Sequence, residues 1–112
     1  MGDYCKLIVS CEVKAVAKEE LAVEVEKLRL VNSAYHSDER LVHVQTNADG
    51  QLDVIIVGQT KWGDRQKEFL DFLRPFVIKG SGPNYVFAMQ FSEYSVEPKL
   101  FSLLDYKNED LF

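Results

Sequence analysis

Histidine and cysteine are scarce in this chain of 112 residues, two of each, which leaves few side chains for metal coordination or nucleophilic catalysis. Cys5 and Cys11 form no C-x-x-C pair and neither has a histidine near it in sequence, so the spacing of a zinc or redox site is missing. Six residues of extended chain hold them about 20 Å apart, past the roughly 7 Å between α-carbons that a disulfide tolerates. His36 and His43 are the only candidate general bases. Asp38 and Glu39 could orient His36, but no Ser-His-Asp, Cys-His or H-E-x-x-H arrangement accompanies either histidine. No metal site, no cofactor and no catalytic residue are expected.

Positive charge is also short: 13 Lys and Arg stand against 18 Asp and Glu, a net charge of −5. A protein that binds by neutralising phosphates needs clustered Lys and Arg, so direct nucleic-acid binding is not expected. No stretch reaches the roughly 20 apolar residues of a membrane span. The opening Met1-Gly2-Asp3-Tyr4-Cys5-Lys6 has neither a basic n-region before an apolar run nor the hydroxyl of a myristoylation signal at position 6, so a cytoplasmic location is expected. The glycines do not make a phosphate cradle. Gly63 is followed by Asp64 and Arg65 where a P-loop needs Lys and Ser or Thr, and Gly80-Ser81-Gly82-Pro83 leads into a strand, with no helix N-terminus to receive the anion.

What the chain does have is an order of periodic segments. Tyr4–Val13 alternates, with Leu7, Val9, Cys11 and Val13 on one face and Lys6, Ser10, Glu12 and Lys14 on the other, which makes the cysteines small buried residues and the second face wet apart from Ile8. Lys18–Leu30 places Leu21, Val25 and Leu28 at helical spacing, with Glu19 and Glu20 near its start and Lys27 and Arg29 near its end, as the helix dipole favours. Leu41–Thr46 and Gln51–Val57 flank Asn47-Ala48-Asp49-Gly50, a hairpin turn closed by glycine. Within the second of these strands Val54, Ile55, Ile56 and Val57 are continuous, which predicts a central strand or one covered on both faces.

Gly58 to Asp64 reads as the link to a second helix, Arg65–Phe76, with Asp64 as its N-cap and Phe69, Phe72, Leu73 and Phe76 as its stripe. Tyr85–Tyr94 alternates again, with Tyr85, Phe87, Met89 and Phe91 forming the side expected to face the core. The order β-α-β-β-α-β predicts an α+β fold, a ferredoxin-like two-layer sandwich with an antiparallel sheet. All 112 residues are read as one domain, with 99–112 as a C-terminal extension whose Leu100 to Leu104 adds a short strand or helical turn. In that order the strand over Tyr85–Tyr94 is a sheet edge.

That architecture carries many unrelated functions, and function must come from its sites. An RNA reader of this shape needs stacking aromatics on its central strands, and Lys6 to Val13 and Leu52 to Val57 contain none. Acylphosphatase-like chemistry needs a glycine- and arginine-bearing loop after the first strand, where this chain has Lys14-Ala15-Val16-Ala17-Lys18. Trp62, the only tryptophan, sits beside Lys61 in a polar linker, where it either roofs the core or anchors a partner.

Gly58-Gln59-Thr60-Lys61-Trp62, together with the aromatic strand ending Phe91-Ser92-Glu93-Tyr94, resembles a family of small ferredoxin-like proteins of phages and plasmids that carry a G-T-K-W element. The resemblance covers about twenty residues and implies a mobile-element origin and a non-enzymatic role. The leading expectation is a non-catalytic protein-interaction module, a phage or plasmid accessory, inhibitor or immunity protein, that also forms a homodimer through the second sheet face or the edge of the fourth strand. Trp62, Lys61, Glu20 and Glu24 are its candidate partner-binding residues. The alternative is a dimeric α+β-barrel-like ligand-binding protein or enzyme with Tyr35, His36, Trp62 and Tyr85 at the pocket. A further alternative is an acidic nucleic-acid mimic built from the first-helix carboxylates and Asp105, Glu109 and Asp110.

Overall fold

A computed structural model describes residues 5–30, 40–61, 64–78, 87–92 and 99–104, with the backbone alone at 87–92, 100 and 101. The elements are strand β1 (Cys5–Val13), helix α1 (Lys18–Leu28), strands β2 (Leu41–Thr46) and β3 (Leu52–Thr60), helix α2 (Asp64–Leu73), and strands β4 (Phe87–Ser92) and β5 (Lys99–Ser102). The fold is α+β. The strands form one sheet in the order β2-β3-β1-β4-β5, with every neighbouring pair antiparallel.

The alternation expected of the first strand is what buries it. Leu7, Val9, Cys11 and Val13 all lie in the core, where they meet Leu52, Val54 and Ile56 of β3, Leu21 and Leu28 of α1, and Phe69, Leu70 and Leu73 of α2. Both cysteines are buried and neither forms a disulfide, and burial pushes the Cys11 thiol up to about 12 because a thiolate there would be poorly solvated. The expected wet side of β1 has one exception: Glu12 is buried.

Both helices end earlier than their periodicity predicts. α1 stops at Leu28 because Arg29 turns into the left-handed region (φ 49°, ψ 59°), its N–H donating to Glu26 O at 3.1 Å. Arginine, with no Gly or Asn signature, hides this stop from the sequence. Leu30 still packs against the core, which is why the apolar period runs past the helix. α2 starts at Asp64 and gives way after Leu73 to a 3₁₀ turn, Arg74–Phe76, that contains Pro75. Its stripe includes the expected Phe69 and Leu73, plus Leu70 and Gln66, while Phe72 and Phe76 are only partly buried. Beyond the turn the chain rejoins β1: Lys14 N–H donates to Phe76 O and Ile78 N–H to Glu12 O, each at 2.9 Å.

Two further expectations are corrected. β3 does not end at Val57 but continues through Gly58, Gln59 and Thr60, paired residue for residue with β1 down to Cys5 opposite Thr60. The strand expected at the sheet edge is interior, because the segment after Pro98 forms β5 and pairs with β4 from Phe87 opposite Ser102 to Gln90 opposite Lys99. Lys99–Ser102 at the start of the extension is therefore a strand, and the β4 edge is closed by the chain itself. The outer strands of the sheet, among the described residues, are β2 and β5. No helix among the described residues is long and apolar enough to cross a membrane.

Candidate functional site

β3 is an interior strand, as its apolar run predicts, but among the described residues only one of its faces is covered by helices. Leu52, Val54 and Ile56 are fully buried, whereas Ile55, between them in sequence, is 38% exposed. The ladder extends this second face across the sheet. Ile55 lies opposite Ser10 and His43, and Val57 opposite Ile8 and Leu41, so these residues share the side away from α1 and α2. Leu41 is 49% exposed.

On the far side, β1 sets Lys6, Ile8 and Ser10 opposite Phe91, Met89 and Phe87. The positions of the expected core stripe on β4 thus fall at helix-free register positions, since the core residues Leu7 and Val9 are matched to Gln90 and Ala88. Registering β4 by its own alternation could not reveal which of its faces meets the helices.

One end of this face is polar and tightly organised. Glu12 and Asp53 are cross-strand partners, an arrangement that sets like charges against each other. The Asn47 side-chain amide separates them, its Nδ2 donating to Glu12 Oε2 and, at 3.1 Å, to Asp53 Oδ1. Its Oδ1 accepts from the N–H groups of Asp49 at 3.0 Å and Gln51 at 3.1 Å. Gly50, at φ 78°, supplies the positive φ that closes the hairpin. Sequence reasoning identified this turn and its glycine but missed that Asn47 reaches across to the buried Glu12 of β1, which the chain at Ile78 also flanks. The missed signal is a long-range pairing of β1 with β3 that no local pattern encodes.

The other end of the sheet holds Gly58 to Lys61 of the resembling segment, and packing accounts for two of these residues. A Cβ on Gly58 would lie 2.8 Å from Leu30 Cδ2, so glycine lets the Leu30 side chain, just past α1, close on β3. Thr60 is buried, and its Oγ1 accepts a hydrogen bond at 2.8 Å from Nε2 of the fully buried Gln66, which also donates to Cys5 O at 2.9 Å. Lys61 is exposed and lines a cleft of about 280 Å³ with Leu28, Arg29 and Arg65. Arg65 has a structural duty there, donating from Nη1 to Lys27 O at 2.9 Å and so capping the last turn of α1.

Of the other candidates, Glu20 is exposed on α1, whereas Glu24 is partly buried and paired with Lys27 at 3.2 Å. Trp62, Tyr35, His36 and Tyr85 lie outside the described residues, as do the tail carboxylates. His43 lies opposite Ile55 on the helix-free side, and it is less exposed than its neighbours Val42 (42%) and Val44 (37%). Among the described residues, the helices pack on β1 and β3 and not on β2. Among the described residues no three His, Cys, Asp or Glu side chains converge as metal donors. The chain matches no protein-family model, no curated protein and no solved structure.

Proposed function

We propose that this protein is a non-catalytic protein-interaction module that works through the helix-free face of its sheet, in the manner of an accessory, inhibitor or immunity protein. The observation that carries this reading is Ile55, an aliphatic residue at the centre of a strand, paired on both sides and yet 38% exposed. An exposed apolar centre with a polar rim is the anatomy of a binding patch. Its rim carries the exposed Asp53 carboxylate at one end, so the complementary surface is an apolar protein patch flanked by a cation.

The finer fold reading belongs with this proposal. The order β2-β3-β1-β4, with α1 leading from β1 to β2 and α2 from β3 to β4, supports a ferredoxin-like sandwich to which β5 is added. The phage or plasmid origin implied by the G-T-K-W resemblance is part of the same proposal. Its Gly58 and Thr60 have packing roles that would serve a protein of any function.

The test is capture of partners from host lysate by the tagged protein, with Ile55→Lys and Glu20→Lys in parallel and folding checked by thermal melting. A stoichiometric protein retained by wild type and by Glu20→Lys, but lost with Ile55→Lys, supports the helix-free face. Retention by Ile55→Lys overturns it.

A further inference from the structure

The two edges of the sheet are built differently. β5 is four residues long and begins with a lysine, two of the devices that keep an edge from recruiting foreign strands. β2 has neither device. Its six residues, Leu-Val-His-Val-Gln-Thr, contain no charge, proline or glycine, and they pair with β3 in an unbroken register without a bulge. Leu41 on one face and Val42 and Val44 on the other are exposed. Among the described residues nothing pairs with the outer edge of β2, which leaves its outward backbone N–H and C=O groups as a template for another strand.

We propose that β2 pairs antiparallel with β2 of a second copy, about a twofold axis at His43, joining two five-stranded sheets into one of ten strands. The choice of a second copy comes from the pattern of the strand itself. In an antiparallel self-pair, residue i meets residue j of the same face, and a one-residue slip would exchange the faces. Centring on His43 sets Val42 of each copy against Val44 of the other, two aliphatic pairs on the helix side. Leu41 then meets Gln45, and Arg40 meets Thr46. No charge faces a like charge, although each chain carries −5. Centring on Val42 instead would put Arg40 against Val44, and centring on Val44 would put Val42 against Thr46, so the His43 axis matches the aliphatic residues best.

This edge adjoins the face assigned above to a partner, sharing Leu41 and His43 with its margin, and it is small. Six residues a side fall short of the roughly 800 Å² per partner of stable interfaces, so the dimer is weak and its formation depends on concentration.

Light scattering over a concentration series reads it: the mass should rise toward double between about 10 μM and 1 mM. Val44→Lys should hold the mass at one chain, while Ile55→Lys should leave dimerisation unchanged. The register is read separately. Under oxidised glutathione, His43→Cys should form an intermolecular disulfide several-fold faster than Gln45→Cys, because position 43 meets itself whereas position 45 lies about 13 Å from its copy. The native Cys5 and Cys11 are buried and serve as the unreactive background. A mass of one chain throughout, a dimer that survives Val44→Lys or is lost with Ile55→Lys, or equal crosslinking at 43 and 45 would each overturn the proposal.

Discussion

The two faces of β3 are made of nearly the same amino acids and do different work. Leu52, Val54 and Ile56 are fully enclosed by β1, α1 and α2, while Ile55 and Val57 look out from the other side and Asp53 is bridged by Asn47. A run such as Val54-Ile55-Ile56-Val57 therefore superimposes two signals of period two. One is the demand of the core and the other is an apolar surface, and only the neighbouring strands and helices separate them.

The largest test of that difference exchanges adjacent isoleucines. Ile56→Ala removes a side chain with no exposure and should cost about 2–5 kcal/mol in urea unfolding, because the surrounding core cannot fully collapse onto the cavity. Ile55→Ala should cost well under half as much, since its side chain already meets solvent. Equal losses would mean that the second face is as well packed as the first.

A smaller effect is expected at the polar end of the open face. Asn47→Ala removes the amide between Glu12 and Asp53 together with the acceptor for Asp49 and Gln51 N–H, and should cost about 1–2 kcal/mol. The loss should shrink in the Asp53→Asn background, where the like-charge contact is gone. An undiminished loss would assign Asn47 to the turn alone.

The smallest effect separates the faces by pH. The Cys11 thiol is pushed up to about 12 by burial, whereas the unfolded thiol titrates near 8.5 to 9. Between those values the native state holds a proton that the unfolded state has released, so stability falls as pH rises. From pH 9 to 10 the fall from this group should be about 1 kcal/mol, and it should be absent in Cys11→Ala when the two proteins are compared by urea unfolding at each pH. An identical alkaline slope would remove Cys11 as its source.

Much of the fold was legible because its signals are local. The alternation of β1, the spacing of Leu21, Val25 and Leu28, and the Asn47 to Gly50 turn each follow from backbone geometry within a few residues. The errors fall where a distant partner decides. Gly58, Gln59 and Thr60 read as linker because glycine and polar residues are poor strand formers, yet β1 pairs with all three. The end of α1 was hidden by Arg29 in a conformation usually left to glycine. The facing of β4 depended on which of its neighbour's faces was the core. The candidate surface was visible only as a surplus of apolar strand residues, and the β2 edge stood out once β5 had been seen to occupy the one at β4.

The buried amide of Gln66 has a consequence for how the chain avoids misassembly. It joins the first turns of α2 to Cys5 of β1 and Thr60 of β3, residues that are themselves opposite each other in the ladder. If β3 slid along β1 by one residue, Thr60 would turn away from the helix and the amide would lose a partner in a site closed to water, at a cost of about 1–3 kcal/mol. Hydrophobic burial is forgiving about such slips where valines and isoleucines follow one another, as they do in this strand. The glutamine is not, and in this way a single polar side chain checks the alignment of two strands sixty residues away in the sequence or only six.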